Sequence, residues 1–450
     1  MDFVTLRIKV KEEAEKRGFT DWEITFSGSQ GTELMVRDGQ VDHFENSIQH
    51  GIAFRGNVNG KTGYSYSEKI DDDAISYLVK EAFDNAQIIE EEAEIFFEGS
   101  ESYPEVNSYN DDIECITPEK LIENAVDMEK SLLNSSEYMK AVDYCLCGKS
   151  SGESFMANSK GLNLQFKQNM AVGYISGIAE NNGDIKTGGE YWYGCDIEKF
   201  SPKELGETAG KKIVSHMGAK SIPSAEMNVV FENEAMSDIL ATFSGVFFAE
   251  NAQKGFSMLE GKKGTLIGSE ILNIKDDGIC EKSGYSIPFD SEGVAVQNKY
   301  VIEKGVLKTL LYNLKSASKD NTVSTGNGFK AGLKSPVVTT CTNFYIEKGD
   351  CTKNDIIKSV CDGIIITDVT GLHAGANTIS GDFSLSAEGF LIENGNITSP
   401  VEQITVAGNF YDILKNIEKI ADDVKFSMPS GMGVFGSPTV FVGKMSVSGM

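Results

Sequence analysis

The 450-residue chain carries 41 Lys and Arg against 67 Asp and Glu, a formal net charge of −26, with 40 % hydrophobic and 24 % charged residues. A chain this long supports two or three domains with ample core, and the balance is that of a soluble globular protein. Its acidic field repels polyanions, and basic clusters no longer than Lys262-Lys263 interrupt it, so no nucleic-acid partner is expected.

The start, MDFVTLRIKVKEEAEKRG, is charged from its second residue and has no apolar h-region. No stretch approaches the ~18 apolar residues of a membrane span. The expectation is therefore a cytoplasmic protein without a membrane partner. Phe3, Leu6, Val10 and Ala14 fall on one helical stripe. Strand-like runs follow in WEITFSG, in TELMVRDGQVDHFE with a turn at Asp38-Gly39, and in GIAFRGNVNGKTGYSYS with a turn near Asn59-Gly60. A helix from about Asp71 buries Ile75, Leu78, Val79, Ala82, Phe83 and Ala86. Residues 91–116 are acidic and aperiodic and read as a solvated connector.

The order then repeats. Thr117-Pro118 opens a helix with Leu121, Ala125, Met128 and Leu132 on its apolar face. Strands are expected in AVDYCLCG, SGESFMAN, LNLQFKQNMAVGYISGIAEN and TGGEYWYGCDI. Ser201-Pro202-Lys203-Glu204 supplies a capping box for a closing helix. Cys145 and Cys147 share one face of a strand rather than forming half a zinc site, since zinc spacings place two or more residues between cysteines and need a second pair. All eight cysteines read as free thiols of a reducing compartment.

From about residue 225 the texture changes to glycine-punctuated strands. YVIEKGVLKT, FYIEKGDCT and FLIENGNITS echo one another, each with the turn chemistry of a tight hairpin. A helix follows Thr352, capped by Asp355, and another runs from Asn409 with Phe410, Leu414, Ile417 and Ala421 in register. The predicted fold class is α+β: a duplicated αβββα N-terminal region followed by a large, mainly antiparallel β-rich C-terminal domain. The predicted domains are 1–90, a connector over 91–116, 117–222 and 223–450.

Two stretches carry candidate chemistry. In VVFENEAMSDILATFSGVFF, Asn233, Glu234 and Asp238 lie where a strand becomes a helix. Glu234 and Asp238, at i and i+4, stand about 40° apart on a helix and can face one ion; Asn233 and Asp238 stand about 140° apart and converge only on a distorted turn. The alternative is a plain helix N-terminus, with Asn233 or Glu232 as cap and early acids complementing the dipole. In TDVTGLHAGANTISGDFSLSAEGFLIENG, His373 sits in a glycine-rich loop with Asp368 upstream and Gly381-Asp382 downstream. A hydrolase using His373 and Asp382 is conceivable there, although no G-x-S-x-G elbow supplies its nucleophile. Asp71-Asp72-Asp73 and Asp276-Asp277-Gly278 lack the EF-hand pattern and read as a helix start and a turn.

The segment TGLHAGANTISGDFSLSAEGFLIENGNITSPVEQITVAGNFYDILKNI resembles the C-terminal signature of the TldD/PmbA family, whose older label is modulator of DNA gyrase. It carries G-x-H-x-G-x-N, then S-G-D-F-S, G-x-L-I-E-N-G and I-T-x-A-G-N in order. SGVFFAENAQKGFSMLEGKKGTLIGS and GIAFRGNVNGKTGYSYS agree more loosely. The resemblance implies a two-part protease. Its TldD-type subunit holds a catalytic metal on an H-E-x-x-x-H helix and a late cysteine. Its PmbA/TldE-type subunit lacks them. Here Asn233 and Asp238 stand where the histidines would be, only Glu234 remains, and the last cysteine is Cys361. The implied role is therefore a PmbA/TldE-like subunit without a metal of its own. It would pair with a TldD-type partner that carries zinc or another divalent ion, or with itself when alone, and act on peptides or unfolded segments. His373, Asn377, Asp382 and Phe383 are its candidate substrate or interface residues. Glu234, His373 and Asp382 are the candidates for any chemistry of its own. A regulatory binding protein is the remaining alternative.

Overall fold

The computed structural model describes residues 1–90 and 93–450. The N-terminal layer is one unit built twice. The first copy is α1 (Phe3–Lys16), β1 (Asp21–Arg37), β2 (Gln40–Val58), β3 (Lys61–Ser67) and α2 (Asp72–Ala86). The second is α3 (Pro118–Leu133), β4 (Met139–Asn158), β5 (Asn163–Asn181), β6 (Asp184–Gly194) and α4 (Pro202–Ser215). Polar side chains start these helices by accepting otherwise orphaned N–H groups: Asp2 from Thr5, Asp71 from Ala74, Thr117 from Lys120 and Ser201 from Glu204. At Ser201 only this half of the predicted capping box forms among the described residues.

The copies merge into one antiparallel six-stranded sheet, ordered β3-β2-β1-β4-β5-β6. Strands β1 and β4 pair at its centre, with Gln30 opposite Ser151. Here the structure corrects the sequence reading. Ser29-Gln30-Gly31 and Lys149-Ser150 separate the expected short strands, yet each lies inside one continuous strand. With a neighbour on both sides, their backbone groups are all in ladders, which outweighs the poor strand propensity of glycine. Each copy has its own core on the helix-covered face: Leu6, Val10, Ile24, Phe54 and Leu78 in one, Leu34, Leu121, Met128, Ile175 and Ile213 in the other. Cys145 and Cys147 are buried in the second, and all eight cysteines are free thiols. The helix of one copy also braces the hairpin of the other. Both carboxylate oxygens of buried Glu129 on α3 accept the N–H groups of Asp38 and Gly39, at 2.8 and 2.6 Å.

The connector is less solvated than its acidity suggests. Glu94 binds Arg55 at 2.7 Å, completing the buried two-bond pair between Arg55 and the cross-strand Glu23. Phe96 is buried, and Tyr103 donates to the Gly293 carbonyl at 2.8 Å, so the segment ties the first sheet to the C-terminal domain.

That domain is built on β7 (Ala225–Phe231), α5 (Asn233–Phe243), β8 (Gly363–Thr370), β9 (Asp382–Glu393), β10 (Asn396–Asn409) and β11 (Val440–Ser448). The order β10-β9-β8-β7-β11 closes on itself because β11 also pairs with β10, Thr405 opposite Ser448. Only β7 and β8 run parallel in this ring. Ala235, Met236, Ile239, Leu240 and Phe243 of α5 are fully buried, and Phe243 stacks on Phe410 at 4.7 Å. A second six-stranded sheet, with Ile274–Asp277 and Asn343–Ile346 at its centre, ends in the short edge strand Lys425–Phe426.

Three further expectations are corrected. Asp276-Asp277 is not a turn but part of a buried strand: Asp276 faces Lys299 at 2.7 Å and accepts from Asn327 and Thr342. Of the three echoing segments, those at 300–309 and 390–399 are hairpins, with Lys304-Gly305 and Asn394-Gly395 at positive φ. The middle one forms no hairpin. A Cβ at Gly349 would lie 2.0 Å from the Ile420 carbonyl, so this glycine serves a close backbone approach instead of a turn. Finally, the helix after Asn409 ends at Asn416; Ile417 and Ala421 are buried beyond it. No helix among the described residues is long and apolar enough to cross a membrane.

Candidate functional site

Strand β7 delivers fully buried Val229, Val230 and Phe231, and a single residue later the chain turns into α5. Glu232 takes the extended N-cap conformation but caps nothing with its side chain; it pairs instead with Lys353. Asn233 supplies the local acceptor, its Oδ1 taking the Glu234 N–H at 2.8 Å. Its Nδ2 donates to the Asp423 carbonyl at 3.1 Å, so both ends of this amide are used. The Asp423 carboxylate in turn accepts from the Thr439 N–H and hydroxyl, at 2.8 and 2.7 Å.

Glu234 is held between two ammonium groups. One oxygen pairs with Lys212 of α4 and the other with Lys425 at 2.5 Å. Lys425 also binds Glu190 of β6 at 2.7 Å and lies 5.2 Å from the Tyr191 ring centre. The Tyr191 and Tyr193 hydroxyls donate to the carbonyls of Phe426 and Ser427, at 2.9 and 2.8 Å. Thus one edge strand of the N-terminal sheet meets one edge strand of the C-terminal domain, with Glu234 at the junction. Burial pushes the Glu234 carboxyl up, but Lys212 and Lys425 outweigh it and hold the group below its usual range.

Asp238 lies one turn further along the same helix, near Glu234 and Asp368. Burial first, then the charges of Asp368 and Glu234, push its carboxyl up to about 6. Burial also raises Asp368, aided by Glu388, and Glu388, aided by Glu402. His216, at the end of α4, lies 4.0 Å from Glu388 and against the Phe390 ring; burial lowers its basicity. Lys186 of β6 closes the seam by pairing with Glu402 at 2.9 Å. Of these groups only Glu234, Asp238 and Asp368 stand out in the sequence. Lys212, Lys425 and Glu190 occupy no local pattern, because they are neighbours of Glu234 only through the packing of separate elements.

The glycine-rich loop is organised quite differently. Gly371 takes a left-handed φ of 83°, and a single helical turn, Leu372–Gly375, follows. Leu372 packs on the domain core while His373 is exposed. Asn377 accepts the N–H groups of Ile379 and Ser380 through its side chain, at 3.0 and 3.1 Å. The Asp382 carboxylate accepts from Asn409 and from the Ser380 hydroxyl, each at 2.8 Å, and these bonds keep it below the usual carboxylate range. Phe383 faces inward, 4 % exposed, and approaches Phe243. No hydrogen bond or ion pair joins His373 to Asp382 among the described residues, so the arrangement has neither the nucleophile nor the oriented base that hydrolysis by these two requires.

Imidazole or thiolate donors are what a zinc site needs, and the positions flanking Glu234 offer an amide already engaged at both ends and a carboxyl that burial tends to protonate. Among the described residues no three His, Cys, Asp or Glu side chains converge as a ligand set. Two ammonium groups already occupy the carboxylate. This donor set does not match the imidazole and thiolate set of a zinc site.

Comparisons with known proteins agree over nearly the whole chain. Models of the PmbA/TldA metallopeptidase match in three pieces: its domain 1 over 22–86, its central domain over 111–217 and its C-terminal domain over 224–449. A Thermotoga maritima protein described as a candidate modulator of a DNA gyrase superposes with a TM-score of 0.90. It is 31 % identical, and the match covers 99 % of this chain and 100 % of that one. TldE from Thermococcus kodakarensis has the same fold, with a TM-score of 0.90 at 21 % identity over 99 % and 100 % of the two chains. A Haemophilus influenzae relative named metalloprotease PmbA homolog is 28 % identical over 340 residues, 74 % of this chain and 71 % of its own length.

Proposed function

This chain belongs to the PmbA/TldA metallopeptidase family, and from that premise we propose that it is the metal-free, PmbA/TldE-like subunit of a two-subunit cytoplasmic peptidase. A TldD-type partner supplies the H-E-x-x-x-H helix, the late cysteine and the metal they hold. This subunit supplies enclosure, contacts to an extended peptide and the interface. The observation that carries the reading is the state of Glu234: the one retained position of the motif is paired with Lys212 and Lys425 instead of being open to an ion. Beside it, a cleft of about 470 Å³ lined by Tyr191, Tyr193, Cys195, Ser283, Lys425 and Phe426 is the surface assigned to peptide contact. Exposed His373 and Asn377 are assigned to the interface.

The test is metal analysis of the purified chain together with peptidase assays, alone and mixed with a TldD-type partner. The expected result is sub-stoichiometric zinc, no peptidase activity alone, and a chelator-sensitive activity with the partner that exceeds the partner's own. Tightly bound stoichiometric zinc, or chelator-sensitive cleavage by this chain alone, overturns the reading. Light scattering of the mixture should give a heterodimer in place of any homodimer.

A further inference from the structure

A catalytic metal does two things in its protein: it acts on the substrate, and it ties together the elements that ligate it. In this chain the retained Glu234 is tied to charged side chains of other elements instead. Four elements converge at Glu234. They are α4 through Lys212, β6 through Glu190, the edge strand Lys425–Phe426 through Lys425, and α5 through Glu234 itself. The charges alternate as Lys212, Glu234, Lys425, Glu190, so the set is neutral and each carboxylate has a cation at contact distance. Its position is not that of loose surface lysines. The stretch around Lys425 is fixed from both sides, by Asn233 on the Asp423 carbonyl and by Tyr191 and Tyr193 on the carbonyls of Phe426 and Ser427. The Glu190 side chain is only 9 % exposed and the Glu234 side chain 24 %, where water screens a charge pair weakly.

We propose that Lys212 and Lys425, meeting at Glu234, clamp the N-terminal layer to the C-terminal domain beside the peptide-contact cleft. The clamp holds the two edge strands at a fixed distance, so the cleft keeps its width whatever the metal supply. This inference rests on reading the chain as the metal-free subunit. It adds that the retained Glu234 is put to structural use by specific residues of this chain.

Hydrogen exchange of peptides spanning 184–194 and 423–427 reads the clamp directly, because those strands open only if the seam does. Lys425→Met should speed exchange there about tenfold or more and leave 139–158, at the sheet centre, unchanged. The charge origin is tested by a double-mutant cycle: in a Glu234→Gln background, Lys425→Met should cost much less than in the wild type. Equal costs in the two backgrounds, or unchanged exchange in both Lys425→Met and Lys212→Met, overturn the clamp. If Lys425→Met does not fold, Lys212→Met alone carries the same cycle through the other oxygen of Glu234. The underlying reading fails separately. EDTA should leave wild-type exchange unchanged, and dialysis against Zn²⁺ should load the wild type and Glu234→Gln equally. Loosening by EDTA, or one zinc equivalent lost in Glu234→Gln, overturns the metal-free assignment whatever the cycle returns.

Discussion

The helix start at 232–238 and the glycine-rich loop at 371–384 both place acids and amides after a buried strand, yet they are held in opposite ways. The loop is self-contained: Asn377, Ser380, Asp382 and Asn409 bond one another and the backbone around them. The helix start is held from outside, since Glu234 and Asn233 find their partners on α4, on β6 by way of Lys425, and in residues 423–425. A polar cluster that satisfies itself shapes a loop. One that is satisfied across domains reports on how those domains sit together.

Changes at the two regions should therefore differ in kind. Glu234→Ala should cost the most, roughly 2–3 kcal/mol in denaturant unfolding, because it leaves two partly buried ammonium groups facing each other. A cost below that of an ordinary surface change would mean that the network is not a real constraint. Gly381→Ala comes next on the loop side, at about 1–3 kcal/mol. Its φ is 85° and the new Cβ would lie 2.6 Å from the Tyr411 ring. This loss should appear as faster exchange confined to 376–384, leaving 184–194 untouched.

Asp238→Asn should act in the opposite sense, stabilising the protein by about 1–2 kcal/mol at pH 7.5. The sign follows from its raised carboxyl: the folded state binds the proton more tightly than the unfolded state. The penalty of ionising it is thus fully present above about pH 6 and absent below the unfolded value of 3.8. The gain from the amide should shrink through that window and vanish in more acidic solution. A pH-independent gain would assign the effect to packing. The smallest effect on stability belongs to His373→Ala, an exposed change expected to leave the fold unaltered and, from its place at the proposed interface, to weaken assembly with the partner. Loss of activity without loss of assembly would revive a catalytic role for the loop; loss of assembly would sharpen its assignment to the interface.

Much of the fold was legible in the sequence. The αβββα repeat showed in apolar stripes such as Leu121, Ala125, Met128 and Leu132, and in caps such as Thr117-Pro118, because helices announce themselves by spacing and by the chemistry of their ends. Turns at Asp38-Gly39 and Asn394-Gly395 were equally local, since positive φ favours those residues. The long central strands were not legible. Ser29-Gln30-Gly31 reads as a break, and only pairing of β1 with β2 on one side and β4 on the other keeps it extended. Asp276 misread as a turn residue for the same reason, because its partner Lys299 is opposite in the sheet and distant in the chain.

The candidate site divides along the same line. The sequence by itself determined that the helix after MNVVF carries Asn233, Glu234 and Asp238 and no imidazole, since ligand chemistry resides in the residue type. Only the tertiary structure decided what Glu234 does. Its charge is answered by Lys212, 22 residues earlier, and by Lys425, 191 residues later. Coulomb attraction depends on distance in space, and no spacing along the chain records that distance.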